Sequence, residues 1–454
     1  MRRRSVSILA AGALLLPALT VRSAPEAGLR SLGLARVDIT PDYPVRLSGY
    51  AARKTECEGV AQRIWAKALA IGSDHEKPAL LICVDNCGIP TWMRDEVTRR
   101  LAQARRLDPA RVAVCSTHTH SAPHLEGYLT NLFLGPLPSD QLERIGRYTR
   151  QLVAALERVG VEALDNRAPG RLSRGRGTAS FAANRRLADG PVDREVPVLF
   201  VTGREGRLRG IVAGYACHCT TLTGEFNQVC GDWAGYAQEY LERDHPGAVV
   251  MVAIGCGGDA NPHPRPGFDL ARRHGQELAG AVNQVLNGVP TPVNGKLECR
   301  TRALELAFAP LPTRADWEQK AKDPGYVGQH ARLNLARLDR GEKLPTHLPY
   351  RIQTWTFGKD LAWVFLQGEV VSDYSLRLKR ECDPDRLWVT AYANGVPGYI
   401  PSERALQTPA HDYEAGGAMI YYDWPTRLAP GLEDLIVQTV RDLLPKRFRA
   451  PKPS

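Results

Sequence analysis

Five apolar runs in this sequence each empty into a polar segment whose side chains can bind metals or carry protons. Residues 111–115 (RVAVC) lead into STHTHSAPH, with His118, His120 and His124. Residues 211–216 (IVAGYA) lead into CHCTT, with His218, and residues 248–254 (AVVMVAI) into GCGGDANPHP. Residues 361–366 (LAWVFL) lead into QGE, with Glu369, and residues 388–392 (WVTAY) into ANGVPGYIPSE, with Tyr399. Ligands of open α/β sheets bind beyond the carboxyl ends of strands, so this recurrence predicts one catalytic rim. His118 and His120 form a His-x-His step; in an extended chain residues two apart face the same side, so both imidazoles can reach one centre. Zinc accepts imidazole nitrogen and carboxylate oxygen, and a catalytic site leaves one position for water. His118, His218 and Glu369 are the minimal set. Taken alone, His218 reads more readily as a satisfied core histidine than as a ligand, and His120 as a residue supporting the ligands or touching substrate. Alternation sends Cys217 and Cys219 away from the His218 face, as small buried apolar residues and not ligands. A lone His-x-His step is weak evidence. The binuclear β-lactamase-like hydrolases need an acid and a histidine directly downstream, where this chain has Ala122 and Pro123.

These segments need a scaffold. Further strand-like runs lie at 65–71 and 79–84, and amphipathic helix patterns at 92–105, 139–158, 233–243, 268–286 and 371–381; Val97, Leu101 and Ala104 mark the first. Alternating strands and helices predict an α/β fold: mixed sheet or sheets flanked by helices, with the active site at the carboxyl ends of strands. One large catalytic domain over residues 24–454 is expected. Residues 166–180 read as a Gly/Arg-rich loop or strand pair. Residues 311–350, charged and broken by Pro and Gly, read as a helical insertion beside the active-site mouth.

Composition narrows the class. The chain has 454 residues, 43% hydrophobic and 24% charged, which excludes a disordered, collagen-like or coiled-coil protein. Ten cysteines are too few to build the fold from disulfides. Residues 1–23 combine Arg2, Arg3 and Arg4 with the short apolar run 8–19 and small residues before Ala24, the grammar of an export signal. A periplasmic or extracellular protein with no transmembrane segment in the mature chain is expected. The formal charge is +10. Arg2, Arg3, Arg4 and Arg22 leave with that signal, so +6 remains. There is no aromatic-interleaved basic stripe and no zinc-finger pattern, which argues against nucleic acid. At most the charge implies weak peripheral attraction to anionic lipid.

The motifs, in order, resemble the neutral/alkaline (non-lysosomal) ceramidases, specifically their N-terminal catalytic domain. The resemblance runs from LGLARVDITPDYPVRLSGYA near residue 32 to YEAGGAMIYY near residue 422. CSTHTHSAP, FAANRR, YACHCTT, GDWAGYAQEYLE, QGE, GYIPSE and YEAGG fall in the family's order. The resemblance implies a zinc site of His118, His218, Glu369 and Tyr399, the last a ligand that residue type alone does not single out. It implies that a zinc-bound water attacks the amide carbonyl of ceramide or a related N-acyl lipid, releasing fatty acid and sphingoid base. His120 would be the acid/base; Arg185 and Tyr413 would contact substrate and the developing oxyanion, with neighbouring Arg186 a surface residue. Asn261 stands where family members carry serine. Asparagine cannot accept an acyl group, so a serine route is excluded, while hydrogen bonding to substrate or water is retained. His124 is an addition, expected at the rim. The family's C-terminal β-sandwich is not expected after the helical pattern at 431–444. Two alternatives stay open: a zinc hydrolase of the same fold acting on another amide or ester, and a metal-binding relative without catalysis.

Overall fold

The computed structural model describes residues 28–449; the export reading of residues 1–23 lies outside them. The main sheet runs, in spatial order, Val112–Ser116, Ala79–Val84, Trp65–Ile71, Arg30–Asp38, Ala168–Thr178, Glu195–Gly203, Leu208–Tyr215 and Val249–Ile254, with the short Thr291–Pro292 strand added to Ala168–Thr178. The two outermost pairs are parallel and the pairs between them antiparallel. Ala79–Val84 and Val112–Ser116 are buried at every position. Such strands are covered on both faces, which is why they read as unbroken apolar runs. Lys67 is the exception within Trp65–Ile71: its buried ammonium donates to Val250 O at 2.8 Å and pairs with Glu242 at 2.7 Å, the partners a buried charge requires.

A second sheet, Leu297–Ala307, His347–Phe357, Leu361–Leu366 and Leu387–Thr390, packs on one face of the first. Trp355, Trp363, Phe365 and Trp388 meet Leu69, Leu81, Leu199 and Met251 there. Helices Thr91–Arg105, Ser139–Asp165, Asp232–Asp244 and Phe268–Leu286 cover the opposite face, and Leu432–Leu443 packs on the second sheet. Segment 391–394 ties the two edges of the main sheet together. Ala391 N–H donates to Ile254 O, while Tyr392 O and Val114 O accept from Ser116 N–H and Asn394 N–H respectively. This stitching gathers the carboxyl ends of separate strands into one place.

Two local expectations change. Residues 166–180 are mostly one strand, Ala168–Thr178, held between Arg30–Asp38 and Glu195–Gly203. The 311–350 insertion ends sooner: helices Arg314–Lys320 and Tyr326–Asp339 form it, while residues 347–350 belong to the His347–Phe357 strand. Eleven register pairs with Leu297–Ala307 take those residues into the sheet. The helices surround a small core of Trp317, Ala331 and Leu344. Tyr326 O–H donates to Ala51 O at 2.9 Å. Among the described residues no helix is long and apolar enough to cross a membrane.

Candidate metal centre

The His-x-His step is not extended. His118 has φ 60°, in the left-handed region, which costs a non-glycine residue about 1–2 kcal/mol and is held by its buried surroundings. The two rings meet all the same, with centroids 4.6 Å apart and nearly perpendicular. A parallel bridge between Thr119 and Cys219 sets this segment beside the second histidine segment. His218 N–H donates to Ala260 O at 2.9 Å, and Trp233 Nε1–H donates to His218 O at 2.8 Å. Glu369 and Tyr399 are direct register partners in a two-residue parallel pair. Gly368, φ 84°, lets that pair form: a Cβ there would lie 2.7 Å from Gly398 O.

Four candidate donors therefore converge from separate segments. Glu369 Oε2 is 3.1 Å from His118 Nε2 and 3.0 Å from His218 Nε2. Tyr399 OH is 3.2 Å from His218 Nε2. His118 Nδ1 donates to Cys87 O at 2.5 Å and His218 Nδ1 to Gly257 O at 2.8 Å. Those carbonyls fix the Nδ1–H tautomer of a neutral ring and turn each Nε2 lone pair inward, the outer support a metal-binding imidazole needs. Tyr422 O–H donates to Glu369 Oε1, leaving Oε2 for the histidines. Among the described residues, His118, His218 and Glu369 have ligand atoms all within 4.8 Å of one another, as do Cys87, His118 and His120.

The electrostatics suit a cation. Burial disfavours a charged Glu369, but His118 and then His218 outweigh it and hold its carboxyl well below the usual carboxylate range. Burial opposes charging His118, yet Glu369 and Cys87 raise its pKa to about 10. His218 goes the other way, down to about 4, through burial and then the charges of Arg185 and His118. Both rings touch the same oxygen, but a second proton would place two cations side by side. The cluster thus holds one positive charge beside a buried carboxylate, and a metal ion taking the same donors replaces that proton.

A cavity of about 260 Å³ opens over the cluster, lined by Tyr50, Leu129, Leu132, Tyr413, Tyr421 and Tyr422 around His118, His120, Glu369 and Tyr399. His120 Nε2 is 3.0 Å from His118 Nε2, and its buried Nδ1 has no hydrogen-bond partner. Burial and the charges of His118 and His218 push its pKa well below the ordinary value, so the ring is a neutral base. Gly49, φ 88°, admits it; a Cβ there would lie 2.4 Å from the ring. Arg185 Nη2–H donates to Tyr399 OH at 2.9 Å. Tyr413 lays its ring 5.5 Å from that of Tyr399 and 5.6 Å from the Arg185 guanidinium.

Asn261 is not among the grouped donors. Its side chain accepts from Thr220 Oγ1 at 3.2 Å on the short Ala260–Pro262 strand, which pairs with Ala182–Asn184, and it is not among the residues lining the cavity over the cluster. Cys217 and Cys219 are buried in the core, as alternation predicts. Arg186 is not a free surface residue: it pairs with Glu414 at 2.8 Å. Cys87, Tyr422 and Glu414 escaped the sequence reading. Cys87 was within reach of the strand-end rule, since it follows Ala79–Val84 by three residues; Tyr422 and Glu414 sit in irregular backbone with no such signal.

His124 lies apart from the cluster and opens on another cavity, of about 980 Å³. Its Nδ1 is 3.0 Å from Ser48 Oγ and its ring stands against Phe133. Burial, then Arg46, lowers its pKa to about 3. The unfolded chain takes up this proton near the ordinary 6.5 and the folded chain only near 3, so stability falls as pH drops through that window. His124 alone contributes a slope of up to ~1.4 kcal/mol per pH unit. Denaturant titrations from pH 7 to pH 4 should show a shallower decline for His124→Gln than for the unsubstituted protein; equal slopes contradict the assignment.

Residues 31–253 match the sequence profile described as neutral/alkaline non-lysosomal ceramidase, N-terminal. Over this segment, just under half of the chain, the protein is similar to that family. His118, His120, Arg185 and His218 fall within the matched residues; Glu369, Tyr399 and Tyr413 lie beyond them. The neutral ceramidase of Pseudomonas aeruginosa is 26% identical over 314 residues, 63% of this chain and 46% of that protein. The neutral ceramidase of Drosophila melanogaster is 27% identical over 263 residues, 51% of this chain and 36% of the relative. The matches thus span less than half the length of these curated relatives. A crystal structure of the Pseudomonas aeruginosa ceramidase shares the fold, with TM-score 0.71 and 20% identity over 94% of this chain and 77% of that one.

Proposed function

We propose that this protein is a zinc-dependent amide hydrolase acting on ceramide or a related N-acyl lipid. The observation that supports this best is the convergence of His118, His218, Glu369 and Tyr399 with both Nδ1 atoms tied to carbonyls. Two imidazoles, a carboxylate and a phenol fit zinc, and these four residues would hold it. Zinc supplies Lewis acidity there, lowering the pKa of a water to ~7 and polarising a carbonyl. The remaining work falls to the chain's own groups. His120 Nε2 takes a proton from the attacking water and returns it to the leaving amine, as a neutral base beside the donors can. The Arg185 guanidinium and the Tyr413 hydroxyl stabilise the oxyanion. The names of the relatives support ceramide as the substrate class, and residues 1–23 support export.

Purified protein assayed against N-acyl sphingosines of graded chain length and against soluble acyl-amides tests the substrate. Release of fatty acid and sphingoid base from at least one ceramide is expected. Hydrolysis of the soluble amides alone would reject ceramide and leave the amidase reading.

A further inference from the structure

We propose that Glu414 is a positioning residue: it holds the Arg185 guanidinium so that its terminal nitrogens face the donor cluster. This rests on the reading of the site as a hydrolase. Glu414 lies on the single turn Asp412–Ala415 with its side chain fully enclosed. Its Oε1 accepts from Arg185 Nε and Nη2, each at 2.7 Å, and both its oxygens accept from Arg186 Nε at 2.8 Å. Arg185 follows the Ala182–Asn184 strand, its backbone N–H donating to Asp259 O at 2.8 Å. A guanidinium carries five donors in one rigid plane, so fixing Nε decides where the others point. Nη2 reaches Tyr399 OH at 2.9 Å and Nη1 stands 3.4 Å from His218 Nε2.

The placement answers an electrostatic problem. Arg185 has a second cation beside it in Arg186 and would have a divalent one in front. Without a buried anion behind it, repulsion would drive the guanidinium toward solvent. The preceding residue completes the grip, because the Tyr413 ring lies 5.6 Å from the Arg185 guanidinium and 5.4 Å from that of Arg186. One turn thus anchors the arginine from behind and packs an aromatic ring on it.

The test is a double-mutant cycle on the zinc-loaded full chain. Glu414→Gln is expected to lower kcat about 10–100-fold, the usual effect of losing the partner that orients a site residue, with KM and zinc content unchanged. In an Arg185→Ala background the same change should cost less than about twofold, because its effect passes through that arginine. An equal cost in both backgrounds, or unchanged kcat in Glu414→Gln, overturns the proposal. If the glutamine variant does not fold, Glu414→Asp carries the same comparison. NMR of the Arg185 Nε–H gives a readout independent of turnover: a slowly exchanging signal is expected in the unsubstituted protein and fast exchange in the variant. Slow exchange in both overturns positioning even if no ceramide is hydrolysed, whereas an inactive parent protein counts against the hydrolase reading alone.

Discussion

Replacing His218 by alanine is expected to abolish zinc binding and lower kcat/KM at least ~10³-fold, a loss of several kcal/mol of charge stabilisation at ~1.4 kcal/mol per tenfold. His218 Nε2 lies 3.0 Å from Glu369 Oε2 and 3.2 Å from Tyr399 OH, so it links the carboxylate and phenol halves of the cluster. Without it the four candidate donors fall to His118, Glu369 and the phenol of Tyr399, a set with a single imidazole that lacks the group touching both the carboxylate and the phenol. The ring is wholly buried and Gly257 O loses its donor, so some loss of stability accompanies the loss of metal. Metal analysis is the check: about one zinc per purified chain, removable by chelator and restored by added zinc, against none retained by the variant. A zinc-free protein with full activity would refute the metal reading.

His120→Ala should separate chemistry from metal binding. Its ring stands beside the donors, with Nε2 3.0 Å from His118 Nε2, but it is not among the three grouped around Glu369. Zinc content is expected to stay at the unsubstituted level while kcat falls ~10²–10⁴-fold, the range for a lost general acid–base. The neutral state of His120 follows from burial and from the charges of His118 and His218, so the ring is unprotonated at neutral pH before the reaction begins. Loss of zinc in this variant would make His120 a ligand; unchanged kcat would remove it from the proton path.

Particular elements show how far the sequence alone reaches. The runs 65–71, 79–84 and 361–366 are strands at those same bounds, because strands buried on both faces write themselves as continuous apolar sequence. The helix patterns at 92–105 and 268–286 are equally legible, since one buried stripe repeats at the helical period. Leu297–Ala307 escaped because most of its residues are exposed, and its partner His347–Phe357 because nothing marked where the insertion ends. At the centre, His118, His218 and Glu369 were legible by type and by position after strands. The extended geometry assumed for the His-x-His step was not observed: His118 has φ 60°, in the left-handed region, and its ring reaches Cys87 O from there.

By itself, then, the sequence determined the class of fold, the chemistry of the donors and the strand ends that carry them; these follow from local periodicity and residue type. Only the tertiary structure decided that Asn261 bonds Thr220, that Cys87 and Tyr422 bond the candidate donors, and that Glu414 stands behind Arg185. Those contacts join residues up to 229 positions apart in the chain. Their partners are set by how sheets stack and edges are stitched, a relation that no local spacing records.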